Sequence, residues 1–244
     1  PSAILKFAAE YATNDPSTPF SSERQLYEVR AMQQLASALK SQPGDKSNLI
    51  KVPELYYFDE NVHVIIMEDV SPPMISSATG DAPVYVSLDK MCQNPVGKNA
   101  LGIVDQVGTQ LGQFLIRLHR YTASESDRSS SNLRELFLVN EVSKEIDVQT
   151  CFRDIPRKLK EFEIVLEPTD EARLHEIIAD MVLDYLDRPQ SIIMGDFWYG
   201  NMILKLGGAG EQKTLEEISI IDWEFVTCAP SYVDLAHFLS EIWL

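Results

Sequence analysis

The 244-residue sequence predicts an α+β fold in two lobes, a small β-rich N-lobe with one helix (1–69) and a larger, mainly helical C-lobe (70–244). Three observations predict it. Strand-type runs crowd the first lobe, long three–four apolar periods dominate the second, and SPPMISSATGDAP (71–83) breaks the pattern between them.

In chain order, AILKFA (3–8) reads as a short strand with one lysine, and YATNDPSTPF (11–20) as a loop with two prolines. A helix then opens on a capping box, Ser22-x-x-Gln25, and continues through Leu26, Val29, Met32, Leu35 and Leu39. KVPELYYFDENVHVIIMEDV (51–70) reads as two strands joined at DEN, the second more buried. Beyond the break, Val104, Val107, Leu111, Phe114, Leu118 and Tyr121 mark a long one-faced helix. ASESDRSSSN (123–132) reads as a polar loop, and a helix runs from about Thr169 to Leu186 with Asp170 and Glu171 at its positive end. Then come two strands around residues 195–201, a hairpin tip at GGAGEQK (207–213), the strand EISIID and a final amphipathic helix, SYVDLAHFLSEIWL. There are no internal repeats.

The bulk properties exclude several classes. A net charge of −16 offers no basic stripe for phosphates, so no nucleic-acid partner is expected. An acidic surface suits a cationic substrate, though solubility explains it equally well. Three scattered cysteines form neither a disulfide framework nor a zinc site, which fits a reducing, cytoplasmic setting. No apolar run is long enough for a bilayer span, and no membrane partner is expected.

Weak motifs fail on context. GGAGEQKT has Gln212 where a phosphate-binding loop needs glycine, and a strand follows instead of a helix. His63, His119, His175 and His237 lack metal-ligand spacing, and His119 fits a satisfied core position. No GxSxG elbow is present.

SIIMGDFWYGNMILKL (191–206) is more informative. Strand, Gly-Asp, four residues, Asn, strand is the layout of a phosphoryl-transfer loop, in which Asp196 orients a hydroxyl and Asn201 takes Mg²⁺. Both residues are also good turn formers. ISIIDWEF places Asp222 at the end of an apolar strand, where a carboxylate needs a metal or an arginine. At about 100° per residue, Glu28 falls inside the apolar arc of its helix and requires a partner. Lys6 is the obvious one, although alone it reads as an edge-strand lysine. Such a Lys–Glu pair holds ATP phosphates in kinase-type sites.

Lys6, Glu28, Asp196, Asn201 and Asp222 stand in the order of the protein-kinase-like fold. The details resemble the aminoglycoside phosphotransferase (choline kinase-like) family: MGDFWYGNMIL is similar to its His-Gly-Asp-x-x-x-x-Asn loop and IIDWEF to its Ile-Asp-x-Glu metal motif. LGQFLIRLH, SYVDLAHFL and VHVIIMEDV resemble further family stretches, so the likeness covers nearly the whole chain. It implies an ATP- and Mg²⁺-dependent transfer to the hydroxyl of a small molecule. Asp196 would be the catalytic base, Asn201 and Asp222 the metal ligands, Lys6 the phosphate-binding residue and Glu28 its orienting partner. Backbone groups near Glu68 and Val70 would meet adenine, with Phe197, Trp198 and Tyr199 as a wall. Asp234 would support the loop, or serve only as a helix N-terminal residue.

Two departures matter. Met194 replaces the family's usual histidine. Lys6 lies so near the start that the two preceding strands and the phosphate-covering loop are expected to be missing, making an incomplete N-lobe that binds ATP poorly. Residues 3–32 are laid out like the start of methylthioribose kinases, yet Asn201 and Trp223 differ from that branch, so the acceptor stays open; the oligomeric state is open as well. The rival reading is a non-catalytic kinase-like binding or regulatory protein. Protein-kinase activity is weaker, because no DFG or APE motif occurs.

Overall fold

A computed structural model describes residues 2–12, 15–39, 48–72, 82–123 and 128–243. The chain runs through β1 (Ala3–Phe7), β2 (Tyr11–Ala12) and β3 (Asp15–Pro19) into α1 (Arg24–Arg30). One wide π-helical turn, Ala31–Leu35, joins α1 to α2 (Ala36–Leu39). β4 (Ile50–Lys51), β5 (Leu55–Asp59) and β6 (Val64–Glu68) follow, then β7 (Val84–Ser87) and α3 (Leu88–Gln93). α4 (Ala100–Ala123), α5 (Arg128–Leu138), α6 (Glu141–Asp147), α7 (Ile155–Glu161) and α8 (Pro168–Asp187) supply the helical mass. β8 (Ser191–Ile193), β9 (Met202–Gly207), β10 (Thr214–Ile220), β11 (Thr227–Ala229) and α9 (Tyr232–Trp243) complete the order. This mixture of small sheets and helices is the expected α+β architecture.

β6 is the centre of a three-stranded antiparallel sheet, β1-β6-β5, in which Lys6 pairs with Ile65. That register matters because Ile65 is fully buried while the Lys6 backbone is locked beside it. A second sheet, β4-β10-β9-β7, adds β4 parallel to β10 and draws on both halves of the chain. β8 pairs with β11 and fixes the strands that lead into residues 194–201 and away from 222–226. The expected hairpin tip at 207–213 joins β9 to β10. Gly208 takes φ +88° there, and a Cβ would sit 2.2 Å from the Gln212 carbonyl oxygen, so glycine is required.

The main core runs from Tyr27 and Leu35 of the first helical segment through α4 to Ile192, Leu204 and Trp223. A second cluster joins Val148, Phe152, Ile178, Val182 and Tyr185 to Ile193 and Ala229. α8 follows the expected span within a residue at each end, with Pro168 in its first turn, where the missing N–H costs nothing.

Several local expectations are corrected. The capping box does not form: Ser22 Oγ bonds to Glu10 and His63, and Gln25 Nε2 donates to the Lys6 carbonyl at 3.1 Å. The loop at 11–20 contains the two-stranded β2–β3 sheet, with Pro16 and Pro19 in β3. Residues 128–132, expected as loop, already belong to α5. On α4 the inward position is Ile103 and not Val104, which is 38% exposed; a one-residue shift keeps Ile103 in line with Val107 and Leu111. Most of the break at 71–83 lies outside the described residues. Among the described residues, no helix is long and apolar enough to cross a membrane.

Candidate active site

Lys6 lies among three carboxyl groups. The ammonium lies 2.8 Å from Glu28 Oε2 and 3.2 Å from Glu224 Oε2, and it also donates to Asp222 Oδ1. These partners come from β1, α1 and the turn after β10, so the pairing of β1 with β6 and the inward face of α1 build the site together. Glu28 is 1% exposed, as its position on the helix wheel requires. Burial pushes its carboxyl up to about 7, while Lys6 pulls the other way. Burial opposes the charge of Lys6, but the fields of Glu28, Asp222 and Glu224 outweigh it and hold the ammonium well above the usual lysine range.

The second part is the loop between β8 and β9. Asn201 Nδ2 donates to Asp196 Oδ2 at 2.7 Å and to the Asp196 carbonyl at 3.0 Å. Its carboxamide nitrogen is thereby committed, and its oxygen is the atom on offer to a ligand. Burial raises the Asp196 carboxyl, with Asn201 and His237 opposing and Asp222 reinforcing the shift. The Ile221 N–H donates to the Asn201 carbonyl at 3.0 Å, which ties the Asp196–Asn201 loop directly to the residue before Asp222.

Asp234 braces the base of this loop. It is fully buried and accepts from the N–H groups of Met194 (3.1 Å) and Gly195 (3.0 Å) and from His119 Nε2 (3.0 Å). His237 Nδ1 approaches the Gly195 carbonyl at 3.3 Å. Met194 is itself fully buried in the main core. Bracing therefore runs through the backbone of Met194, not its side chain, which explains how the loop tolerates the absence of histidine there. Gly195 has φ +82°, and a Cβ would lie 2.4 Å from the Phe225 carbonyl oxygen.

Asp222 adopts φ +66°, a left-handed conformation that aspartate tolerates better than most residues. Trp223, 1% exposed, plugs the turn into the core and donates from Nε1 to the Ile220 carbonyl at 3.0 Å. Glu28, Asp222 and Glu224 each bring a carboxylate oxygen within 4.8 Å of the others. Three carboxyl groups face Lys6 and Arg24. These are hard oxygen donors of the kind that hold Mg²⁺, and the Asn201 carboxamide oxygen is a donor of the same kind.

The other expected residues are placed as follows. Glu68 ends β6; its side chain pairs with Lys51 at 2.5 Å and its N–H donates to the Glu54 carbonyl at 2.9 Å. Val70 is half-buried just beyond. Phe197 is no wall residue: it is 1% exposed and packs in the core on Phe114 and Phe238. Trp198 and Tyr199 remain half-buried, 5.5 Å apart.

Two groups escaped sequence reasoning. Arg24 pairs with Glu224 at 3.3 Å. The available signal was its position, since a cation in the first turn of a helix opposes the dipole and needs another reason to be there. Asp147, 8% exposed, accepts from Tyr185 Oη at 2.5 Å, and burial pushes its carboxyl up to about 7. No spacing rule marks it.

The chain is similar to 4-hydroxytryptamine kinase of Psilocybe cubensis, 26% identical over 245 residues, covering all of this chain and 60% of the relative. The counterpart from Psilocybe cyanescens is 24% identical, with the same coverage. Methylthioribose kinase of Geobacillus kaustophilus (strain HTA426) is 24% identical over 252 residues, covering 99% of this chain and 54% of the relative. The chain thus spans 54–60% of the length of these curated relatives. The family model described as "Phosphotransferase enzyme family" matches residues 4–243, and with almost every residue so covered, the chain belongs to that family.

Proposed function

We propose that the chain is the catalytic part of an ATP- and Mg²⁺-dependent kinase that phosphorylates a hydroxyl of a small molecule. The observation that carries this reading is the convergence of Lys6, Glu28 and Asp222 beside the Asp196–Asn201 loop. Lys6 binds ATP phosphates, and Glu28 keeps its ammonium aimed at the cleft. Asn201 and Asp222 hold the cation, which when bound neutralises charge on the phosphate oxygens. Backbone groups near Glu68 and Val70 meet adenine.

Asp196 orients the acceptor hydroxyl and takes its proton as the oxygen attacks the γ-phosphorus, while the bond from that phosphorus to the β,γ-bridging oxygen breaks and ADP leaves. Its raised affinity for a proton, caused by burial, suits it to that task, and Asn201 keeps one carboxylate oxygen fixed. The relatives named as kinases of 4-hydroxytryptamine and of methylthioribose support a small, hydroxyl-bearing acceptor. Met194, the residue that favours a non-catalytic reading, is offset by Asp234, His119 and His237 under the loop.

The test is a panel of hydroxylated tryptamines, methylthioribose, choline, aminoglycosides and sugars, each incubated with ATP and Mg²⁺. Mass spectrometry should find one class phosphorylated, and EDTA should abolish the product. Phosphorylation of none, under conditions where the protein is folded and binds ATP, contradicts the proposal.

A further inference from the structure

Arg24 is only 7% exposed, yet it sits in the first turn of α1, where a positive charge is disfavoured. Its Nη1 donates to the carbonyls of Ala9 (3.0 Å), Phe20 (2.9 Å) and Ser21 (2.8 Å), and its guanidinium lies 3.8 Å from the Phe20 ring centroid. From this fixed base, Nε reaches Glu224 at 3.3 Å. The Phe20 ring stacks on Phe225 with centroids 5.9 Å apart and 26° between planes. Two successive residues of the turn after Asp222 are therefore gripped by one corner of the N-terminal region.

The same turn is held from the other side. Trp223 packs edge-on against Phe114, and the Phe225 carbonyl accepts from Ser143 Oγ of α6 at 2.6 Å. Asp222 lies at the strained end of this segment, at φ +66°, and its direction depends on how Trp223, Glu224 and Phe225 are seated. Charge adds a second reason. Glu224 Oε2 is shared between Arg24 and Lys6, at 3.3 and 3.2 Å. Without Arg24, Lys6 alone answers three carboxylates, and Glu224 draws it away from Glu28 and Asp222.

We propose that Arg24 is a positioning residue: with Phe20 it latches Glu224 and Phe225, and so sets the geometry of Asp222 and the freedom of Lys6 to meet phosphate. The inference rests on the reading of Asp222 as a metal ligand. A planar guanidinium is needed because one side chain must serve a carboxylate, three carbonyls and an aromatic face, which a lysine cannot do.

The experiment compares wild type, R24K, R24Q, F20L, E224Q and D222N by two measurements. The first is hydrogen exchange of the metal-free protein, read over residues 221–226. The second is ADP affinity with Mg²⁺ and with EDTA, which isolates the contribution of the metal. R24Q should speed exchange in 221–226 and reduce the Mg²⁺-dependent part of ADP affinity, each by about tenfold, as for the loss of the ion pair between Arg24 and Glu224. Exchange in β8 and β9 should stay close to wild type, and ADP affinity in EDTA should fall by less than the Mg²⁺-dependent part, because Lys6 meets phosphate without the metal. R24K should fall between the two, and F20L, which leaves every charge in place, should also speed exchange in 221–226. Wild-type exchange in 221–226 for both R24Q and F20L overturns the proposal, as does an unchanged Mg²⁺ contribution in R24Q when D222N has removed it. If D222N leaves the Mg²⁺ contribution intact, the metal-ligand reading fails instead, and the exchange data alone decide whether Arg24 positions the turn.

Discussion

Asp234→Asn should cost about 2–4 kcal/mol of stability while leaving the shape of the side chain unchanged. The magnitude follows from its three bonds. Oδ1 accepts from the Gly195 N–H, and Oδ2 accepts from the Met194 N–H and from His119 Nε2. Placing the asparagine NH₂ at either position sets a donor against a backbone N–H, so at least one buried N–H loses its partner. An orphaned buried donor costs about 1–3 kcal/mol, and the bonds that remain lose their charge assistance. Urea unfolding followed by circular dichroism reads the change, with Asp234→Ala expected to cost more because all three donors are orphaned. His119→Ala should be milder, since both backbone bonds survive. Stability of the asparagine variant within about 0.5 kcal/mol of wild type would refute the claim that Asp234 braces the loop.

Three further outcomes are expected. Gly195→Ala places a Cβ 2.4 Å from the Phe225 carbonyl at φ +82°, so it should lower stability by about 2–4 kcal/mol in the same assay, a left-handed alanine alone accounting for about 1–2. Lys6→Met strands the buried Glu28; because Lys6 keeps part of its surface in water, the loss should be about 2–3 kcal/mol, and adding Glu28→Gln should recover more than half of it. Asp147 binds its proton up to about pH 7 when folded, against an ordinary value of 3.8. The folded state therefore holds more protons than the unfolded chain across that window. Stability contributed by protonated Asp147 is full below the ordinary value and is lost as pH rises through about 7, on the order of 4 kcal/mol in all. Asp147→Asn should flatten that slope in unfolding curves taken from pH 4 to pH 8; an unchanged slope assigns it to other groups.

The α+β class was legible in the sequence, and so were the positions of several polar residues that the fold brings together, for a physical reason. Asp196, Asn201 and Asp222 sit at ends of short apolar strands, where a polar residue stands out against a period-two background. Glu28 betrayed itself by lying on the apolar arc of a helix. Those are local signals. By contrast, Ser22 and Gln25 have the spacing of a capping box, but Glu10, His63 and the Lys6 carbonyl compete for their side chains, and no local rule anticipates those partners. The choice between Ile103 and Val104 depends on which side of α4 meets the sheet, and both fit a three–four repeat. α5 begins in a serine-rich stretch that reads as loop, although its Leu133 and Phe137 pack into the main core. The serine-rich start alone hid the helix. Arg24 and Glu224 are far apart in sequence and meet only through the fold, so their pairing left no trace beyond an arginine on the wrong end of a helix. Met194 was the reverse case: its departure from the family pattern was plain, and only the structure shows Asp234 holding the loop by its backbone.

The most direct test of the account is transfer of label from [γ-³²P]ATP to the accepted small molecule, comparing wild type with Asp196→Asn at saturating Mg²⁺. The account predicts label on an acceptor hydroxyl with wild type, a fall of at least about 10²–10⁴-fold with the variant, and nucleotide affinity close to unchanged. Transfer at the wild-type rate by Asp196→Asn would contradict it.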